Sequence, residues 1–258
     1  GVAIVIALLQ FDYHALRYIS LPLILGTMII LLVMLLFGQV DDYGAIRTLS
    51  DGSYQPSELA KLAMILYIAH WLDSKGERIK TINYGLFPFA AITGIVCGLI
   101  VLQPALSTAI LIALISFTLF FVAGADLKQV LVAGVVAMVI LVGLMMVLDH
   151  ASQRINDYMA AFRDPLQASY QVKQALAALA NGGYLGVGLG KGDQKFGPLP
   201  LAQTDGVFAI VGEEMGLLGS IGVVILLAFL AWRGFRVATR ARDTYGFLLA
   251  VGVTAWIS

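Results

Sequence analysis

The chain has 258 residues, 60% hydrophobic and only 12% charged, with a mean hydropathy of +0.90. A soluble domain carries about a quarter of its residues as charges, so that class is excluded. The 16 Lys and Arg balance 16 Asp and Glu, and zero net charge argues against nucleic acid as a partner.

In chain order, apolar runs near the roughly 20 residues that cross a bilayer cover residues 21–38, 57–72, 85–102, 105–122, 129–148 and 206–232. Residues 1–9 read as the end of one further span and 245–258 as the start of another. The expected fold is all-α, a polytopic transmembrane bundle with about eight spans and one long loop, in a single integral membrane domain over 1–258. With neither initiator Met nor signal peptide, the chain is expected to be an internal piece of a longer protein, truncated at both ends. Gly94, Gly98, Gly134 and Gly143 fit close helix packing in lipid. The single Cys97 lies in a span and reads as packing; no disulfide within the chain is possible.

Orientation follows from the short connections. Residues 11–20, 73–84, 123–128 and 233–244 share one side if every run crosses. They carry Arg17, Lys75, Arg78, Lys80, Lys128 and four arginines between 233 and 242, whereas 39–54 on the other side offers only Arg47. The positive-inside rule makes the first group cytoplasmic. The long loop 149–205 then faces outside, in ordered short helices rather than disorder. Loops of that length in a compact architecture are usually functional or disordered.

Three stretches could carry chemistry. In Gln55-Pro56-Ser57-Glu58-Leu59-Ala60-Lys61, Pro56 suits a helix start and Gln55 or Ser57 can cap the free amides. Glu58 and Lys61 are three apart and share a face. They are either a structural ion pair or the lining of an outward-facing cavity, since ionisable groups at membrane depth often mark a pathway. In the long loop, Arg154, Arg163 and Lys173 precede the glycine-rich run 181–192 and its Lys191. That run lacks the Gly-Lys-Ser/Thr spacing of a nucleotide-binding loop. It is either a tight turn or a place where amides and Lys191 approach a pyrophosphate. Thr204-Asp205 stands just before the apolar run 206–232. A carboxylate there is either a helix cap or a reactive acid at the edge of the membrane. On an ideal helix Glu213 lies about 80° round from Asp205 and Glu214 about 180° round, so only Glu213 is a candidate supporting residue. His14, His70 and His150 lie apart near span ends, where interfacial placement accounts for them. No cluster has convincing metal-ligand spacing.

These pieces, in this order, resemble the SEDS family (shape, elongation, division and sporulation), the group of RodA, FtsW and SpoVE. The resemblance rests on Gly44-Ala45-Ile46-Arg47, Gln55 to Lys61, Leu102-Gln103-Pro104 with Ser107-Thr108-Ala109, and Arg163-Asp164-Pro165. It continues through Tyr170-Gln171, Asn181-Gly182-Gly183, Thr204-Asp205 and Gly212-Glu213-Glu214-Met215-Gly216. It covers almost the whole chain. It implies a ten-span protein of the bacterial plasma membrane that polymerises peptidoglycan glycan strands from lipid II beside a class B penicillin-binding protein. The family's essential acid falls on Asp205 and its Gln and Glu-x-x-Lys pattern on Gln55, Glu58 and Lys61. Its loop arginine falls on Arg47.

Four positions depart from the family pattern. Ala105 stands where an Asp is usual and Leu201 where a Glu is usual; Gln203 stands where a His is often found and Thr48 where a Trp is common. The expected activity is glycosyl transfer with Asp205 as general base, or as the acid that positions a divalent cation (Mg or Mn). Substrate contacts are expected from Arg47, Gln55, Glu58, Lys61, Arg154, Arg163, Lys173, Lys191 and Thr204. A lipid II flippase and a non-catalytic scaffold for a cell-wall synthase are the alternatives. Polar clusters gathered at one face favour the enzyme over the flippase.

Overall fold

A computed structural model describes residues 10, 12–38, 55–147, 159, 169–194 and 206–258, and every regular element among them is helical. A short turn (Tyr13–Ala15), capped by Asp12, leads into α1 (Leu16–Phe37). There follow α2 (Pro56–Lys75), α3 (Phe87–Val101), α4 (Leu106–Val122), α5 (Leu127–Val147), α6 (Tyr170–Gly182), α7 (Val207–Ala238) and α8 (Thr244–Ile257). Among the described residues four helical stretches are both long and apolar enough to cross a membrane: Tyr13–Phe37, Ile82–Val101, Leu127–Val147 and Val207–Ala238. The chain is a multi-pass membrane protein. The described parts of the expected runs 21–38, 57–72, 85–102, 105–122, 129–148, 206–232 and 245–258 fall on helices to within a residue or two at their ends; residues 1–9 and 148 lie outside the described ones.

The chain divides into two compact units, Gly1–Met138 with Ala231–Ser258, and Val139–Leu230. In the first, α2 is the central helix, buried along nearly its whole length through Met64, Ile65, Ile68 and Leu72. It packs against α1, α4 and α8. It is also among the least apolar of these helices, because Glu58, Lys61, Asp73 and Lys75 sit at its ends. A helix surrounded by protein need not satisfy lipid, so its ends are free to carry charge.

The α2–α8 pair runs antiparallel, and contacts at four levels set its register. At one end Arg17, from α1, lies 3.0 Å from Asp73 and 3.2 Å from Asp243, the residue that caps α8. One turn along, His70 meets the Tyr245 ring edge-on at 6.3 Å between centroids. In the middle Gly252 lets α8 close on Ile65 and Leu119. At the far end the Lys61 ammonium sits 5.5 Å from the Trp256 ring centroid. Partial burial works against the charge of Asp243. Hydrogen bonds from Tyr13 and the Gly246 amide, with His14 and Arg17 beside it, outweigh this and hold its carboxyl below the ordinary value.

Three expectations need correction. His14 and His70 do not lie apart: His14 stacks on Tyr13, Tyr13 on Tyr245, and His70 packs on the same Tyr245. His150 is outside the described residues. Among the described residues, an added Cβ at Gly94, Gly98 or Gly143 meets nothing within 4 Å, and one at Gly134 meets the Phe117 ring. Tight approaches occur instead at other glycines, Gly252, Gly234 and Gly182 among them, which a count of glycines in spans does not distinguish. Finally, the last long helix runs on to Ala238, so Arg233 and Arg236 extend its end rather than a loop, and Arg236 lies over Trp232. Gly252→Val should therefore destabilise the detergent-solubilised protein by about 1–3 kcal/mol through overpacking. Gly94→Ala should be neutral or stabilising by up to about 1 kcal/mol. Thermal midpoints of the two variants check both.

Candidate active site

Pro56 opens α2 with Gln55 in the extended N-cap position, and the Gln55 carbonyl accepts the Glu58 amide at 3.0 Å. The Gln55 side chain makes no capping bond, so the cap expected from it is not formed; the proline, which has no amide to satisfy, starts the helix alone. The Glu58–Lys61 pair is formed, with Lys61 Nζ 2.7 Å from Glu58 Oε1. Its two halves differ: the Lys61 side chain is 10% exposed and that of Glu58 51%. The ammonium is covered and the carboxylate is presented.

In the second unit the decisive feature is a break in α7. Gly216 has φ +67, a left-handed conformation that only glycine adopts cheaply. In an unbroken helix Leu217 and Leu218 would donate to the carbonyls of Glu213 and Glu214. Here they donate to Gly183 and Tyr184 at 2.9 and 3.3 Å. The vacated Glu213 and Glu214 carbonyls accept the amides of Val187 and Gly188, each at 3.0 Å. Residues 183–188 are thus stitched into the opened helix, and four bonds take the place of two. A side chain at Gly182 or Gly186 would collide with the backbone of α7.

The Glu213 and Glu214 side chains extend the same clamp. Glu213 is 2% exposed and accepts the amides of Asp193 and Gln194 at 3.3 Å, with Gly192 pressed against its carboxylate. Glu214 accepts the Gly190 amide at 2.9 Å. Helix angle alone selected Glu213 and set Glu214 aside. Both are used, because the loop wraps round the helix instead of meeting one face.

Of the two readings of the glycine-rich run, this geometry belongs to the tight turn. The amides of residues 186–188, 190, 191, 193 and 194 all donate within the protein. Lys191 and Lys173 are exposed, and the Lys191 side chain lies back along Gly188. An apolar cavity of about 580 Å³ lies along α7 from Phe208 to Ile225, with Leu179 and Tyr184 on its other side and Ser220 as a polar group in its lining. Its size is that of a small-molecule site. Asp205, Thr204, Arg47, Arg154 and Arg163 fall outside the described residues. Among the described residues no three His, Cys, Asp or Glu side chains come together as metal ligands.

Two groups escaped the sequence reading. Trp256 reads as an ordinary aromatic near a span end, and nothing in its neighbours points to Lys61. Gln103, within the Leu-Gln-Pro motif, is 2% exposed and donates from Nε2 to the Leu31 carbonyl at 2.7 Å, tying the start of α4 to α1. A buried amide flanked by apolar residues was the available signal.

The model of the FtsW/RodA/SpoVE family of cell cycle proteins matches residues 1–258. The chain belongs to this family. It is 35% identical over 256 residues to a probable peptidoglycan glycosyltransferase FtsW of Geobacter metallireducens, covering 98% of this chain and 68% of that protein. It is 37% identical over 206 residues to stage V sporulation protein E of Bacillus subtilis, covering 80% and 56%. A solved structure of a peptidoglycan synthase complex that coordinates polymerisation and crosslinking superposes with TM-score 0.74 at 27% identity, over 96% of this chain and 70% of that one. The rod shape determining protein RodA of Thermus thermophilus superposes with TM-score 0.66 at 22% identity, over 99% and 68%, and shares the fold.

Against the family pattern, Ala105 acquires a structural meaning. It is the N-cap of α4 and makes no side-chain cap bond, so the Asp usual at this position reads as a helix cap. Ala105→Asp should raise stability by about 1 kcal/mol, read as a higher thermal midpoint. Glu213→Ala should speed hydrogen exchange at the Asp193 and Gln194 amides by at least tenfold. It should leave Val187 and Gly188, whose bonds go to backbone carbonyls, much less changed.

Proposed function

We propose that this protein is a peptidoglycan glycosyltransferase that polymerises glycan strands from lipid II at the outer face of the bacterial plasma membrane. The observation that carries the reading is the match along the whole chain to relatives named probable peptidoglycan glycosyltransferases. In the reaction the 4-hydroxyl of the acceptor sugar attacks C1 of the donor sugar. The C1–O bond to the polyprenyl pyrophosphate breaks, and the hydroxyl proton must leave as the new bond forms. Asp205 takes that proton as general base, a role worth about 10²–10⁴ in rate. Arg47, Arg154, Arg163, Lys173 and Lys191 are the cations available to the departing pyrophosphate. A divalent cation positioned by Asp205 is a second way to lower the hydroxyl's proton affinity.

Three features support the reading. Every Asp, Glu, Lys, Arg and His on the described helices lies within about two turns of a helix end. A flippase needs polar groups at mid-membrane, and a polymerase working at one face does not. The clamp on α7 holds the chain that leads from α6 toward Asp205. The apolar cavity beside α7 suits the hydrocarbon of a lipid-borne substrate. On this reading loop 149–205, Gln55, Glu58 and the Trp256 end of α8 face outward, while Arg17, Asp73 and Asp243 face the cytoplasm, as the positive-inside rule requires. The crosslinking partner is a class B penicillin-binding protein, in keeping with the synthase complex whose polymerising and crosslinking parts are coordinated.

The test is glycan chain length from lipid II with purified full-length protein, alone and with its partner. Wild type should yield polymer, and Asp205→Ala none, at unchanged thermal midpoint. Full-length polymer from Asp205→Ala overturns the role of that residue. No polymer from wild type in a stable partner complex supports the scaffold instead.

A further inference from the structure

Lys61 is an ammonium group almost wholly removed from water, and such a charge is costly unless its surroundings replace the lost hydration. Glu58 supplies one partner at 2.7 Å. A second, among the described residues, is the face of Trp256, with Nζ 5.5 Å from the ring centroid, inside the range in which the quadrupole of an indole attracts a cation. Trp256 is not free to drift. One turn earlier on α8, Gly252 closes on Ile65, which lies one turn after Lys61 on α2. Buried Leu248 and Val251 anchor α8 in the same core. The indole is therefore delivered to the ammonium by rigid helix packing, and the ammonium in turn fixes the half-exposed carboxylate.

We propose that Trp256 is a positioning residue for the substrate site. It holds Lys61 by a cation–π contact, and through Lys61 it holds the Glu58 carboxylate in the orientation that receives the hydroxyl and amide groups of the lipid-linked sugar. The proposal rests on the glycosyltransferase reading for the identity of that sugar. The contact between α2 and α8 does not.

The experiment replaces Trp256 in the full-length protein by mono-, di- and trifluorotryptophan, which weaken the ring quadrupole stepwise at nearly constant size. Lipid II affinity and the KM and kcat of polymerisation are read for each. Affinity should fall and KM rise in step with fluorination, reaching about threefold to tenfold for Trp256→Leu, with Trp256→Phe intermediate and kcat changed less than twofold. In a Lys61→Met background the fluorine series should become flat. A flat series in the otherwise unaltered protein, at unchanged thermal midpoint, overturns the proposal even when Lys61→Met weakens binding. Lys61→Met with unaltered affinity overturns it together with the placement of Lys61 at the substrate site. A protein that binds lipid II with the graded response but never makes polymer sinks the polymerase reading and leaves this one standing.

Discussion

A helix that crosses a bilayer cannot open without exposing backbone groups that lipid will not satisfy, and α7 opens at Gly216. The structure depends on how that opening is closed. Residues 183–188 supply both the donors for Glu213 and Glu214 and the acceptors for Leu217 and Leu218, so no polar group of the break is left to hydrocarbon. The side chains of Glu213 and Glu214 then take up the next free amides of the loop. This explains why two carboxylates stand together in an apolar helix. They cap a stretch of loop that has left regular structure. A loop held in this way is a fixed wall, and a fixed wall is what a site on the following residues needs.

The first unit solves a different problem by related means. Its central helix is polar at both ends, and each end meets a residue arriving from elsewhere in the chain. At one end Arg17 stands between Asp73 and Asp243; at the other Lys61 stands between Glu58 and Trp256. Between them the contact is apolar and close, because Gly252 removes the side chain that would hold α8 away from Ile65. Charges at the ends and a narrow seam in the middle make register slippage expensive: moving α8 by one turn would break the Arg17–Asp243 and Lys61–Trp256 contacts at once.

Much of this was legible in the sequence, and the reason is period and length. Apolar runs of about 20 residues report spans without any knowledge of partners. The Glu58–Lys61 pair was legible because a spacing of three is a local property of a helix. What escaped was non-local. Gly94 and Gly252 look alike in a linear reading, yet one faces open space and the other α2. The break at Gly216 was hidden because a single glycine in a hydrophobic run is compatible with a continuous helix. Only the glycine-rich run some thirty residues earlier explains why it opens. Asp205, the strongest candidate in the sequence, rests on its place beside a helix start and on family resemblance, and lies outside the described residues.

The lost family acids bear on whether this member catalyses at all. If the Asp usual at position 105 were a second reactive acid, its replacement by Ala would favour a scaffold. Its position argues otherwise. Ala105 is the residue whose carbonyl receives the first amides of α4, those of Thr108 and Ala109 at 3.1 and 3.2 Å, which is where a carboxylate caps a helix. Losing a cap costs stability and not chemistry, and this helix has a compensation: the preceding Gln103 is buried and bonded to Leu31, so the turn into α4 is pinned from outside the helix. The substitution at 105 is then a trade within the fold. Leu201 lies outside the described residues, so of the two lost acids only the one at 105 can be placed. On the cap reading its loss removes a structural group, and the scaffold alternative then draws no support from position 105.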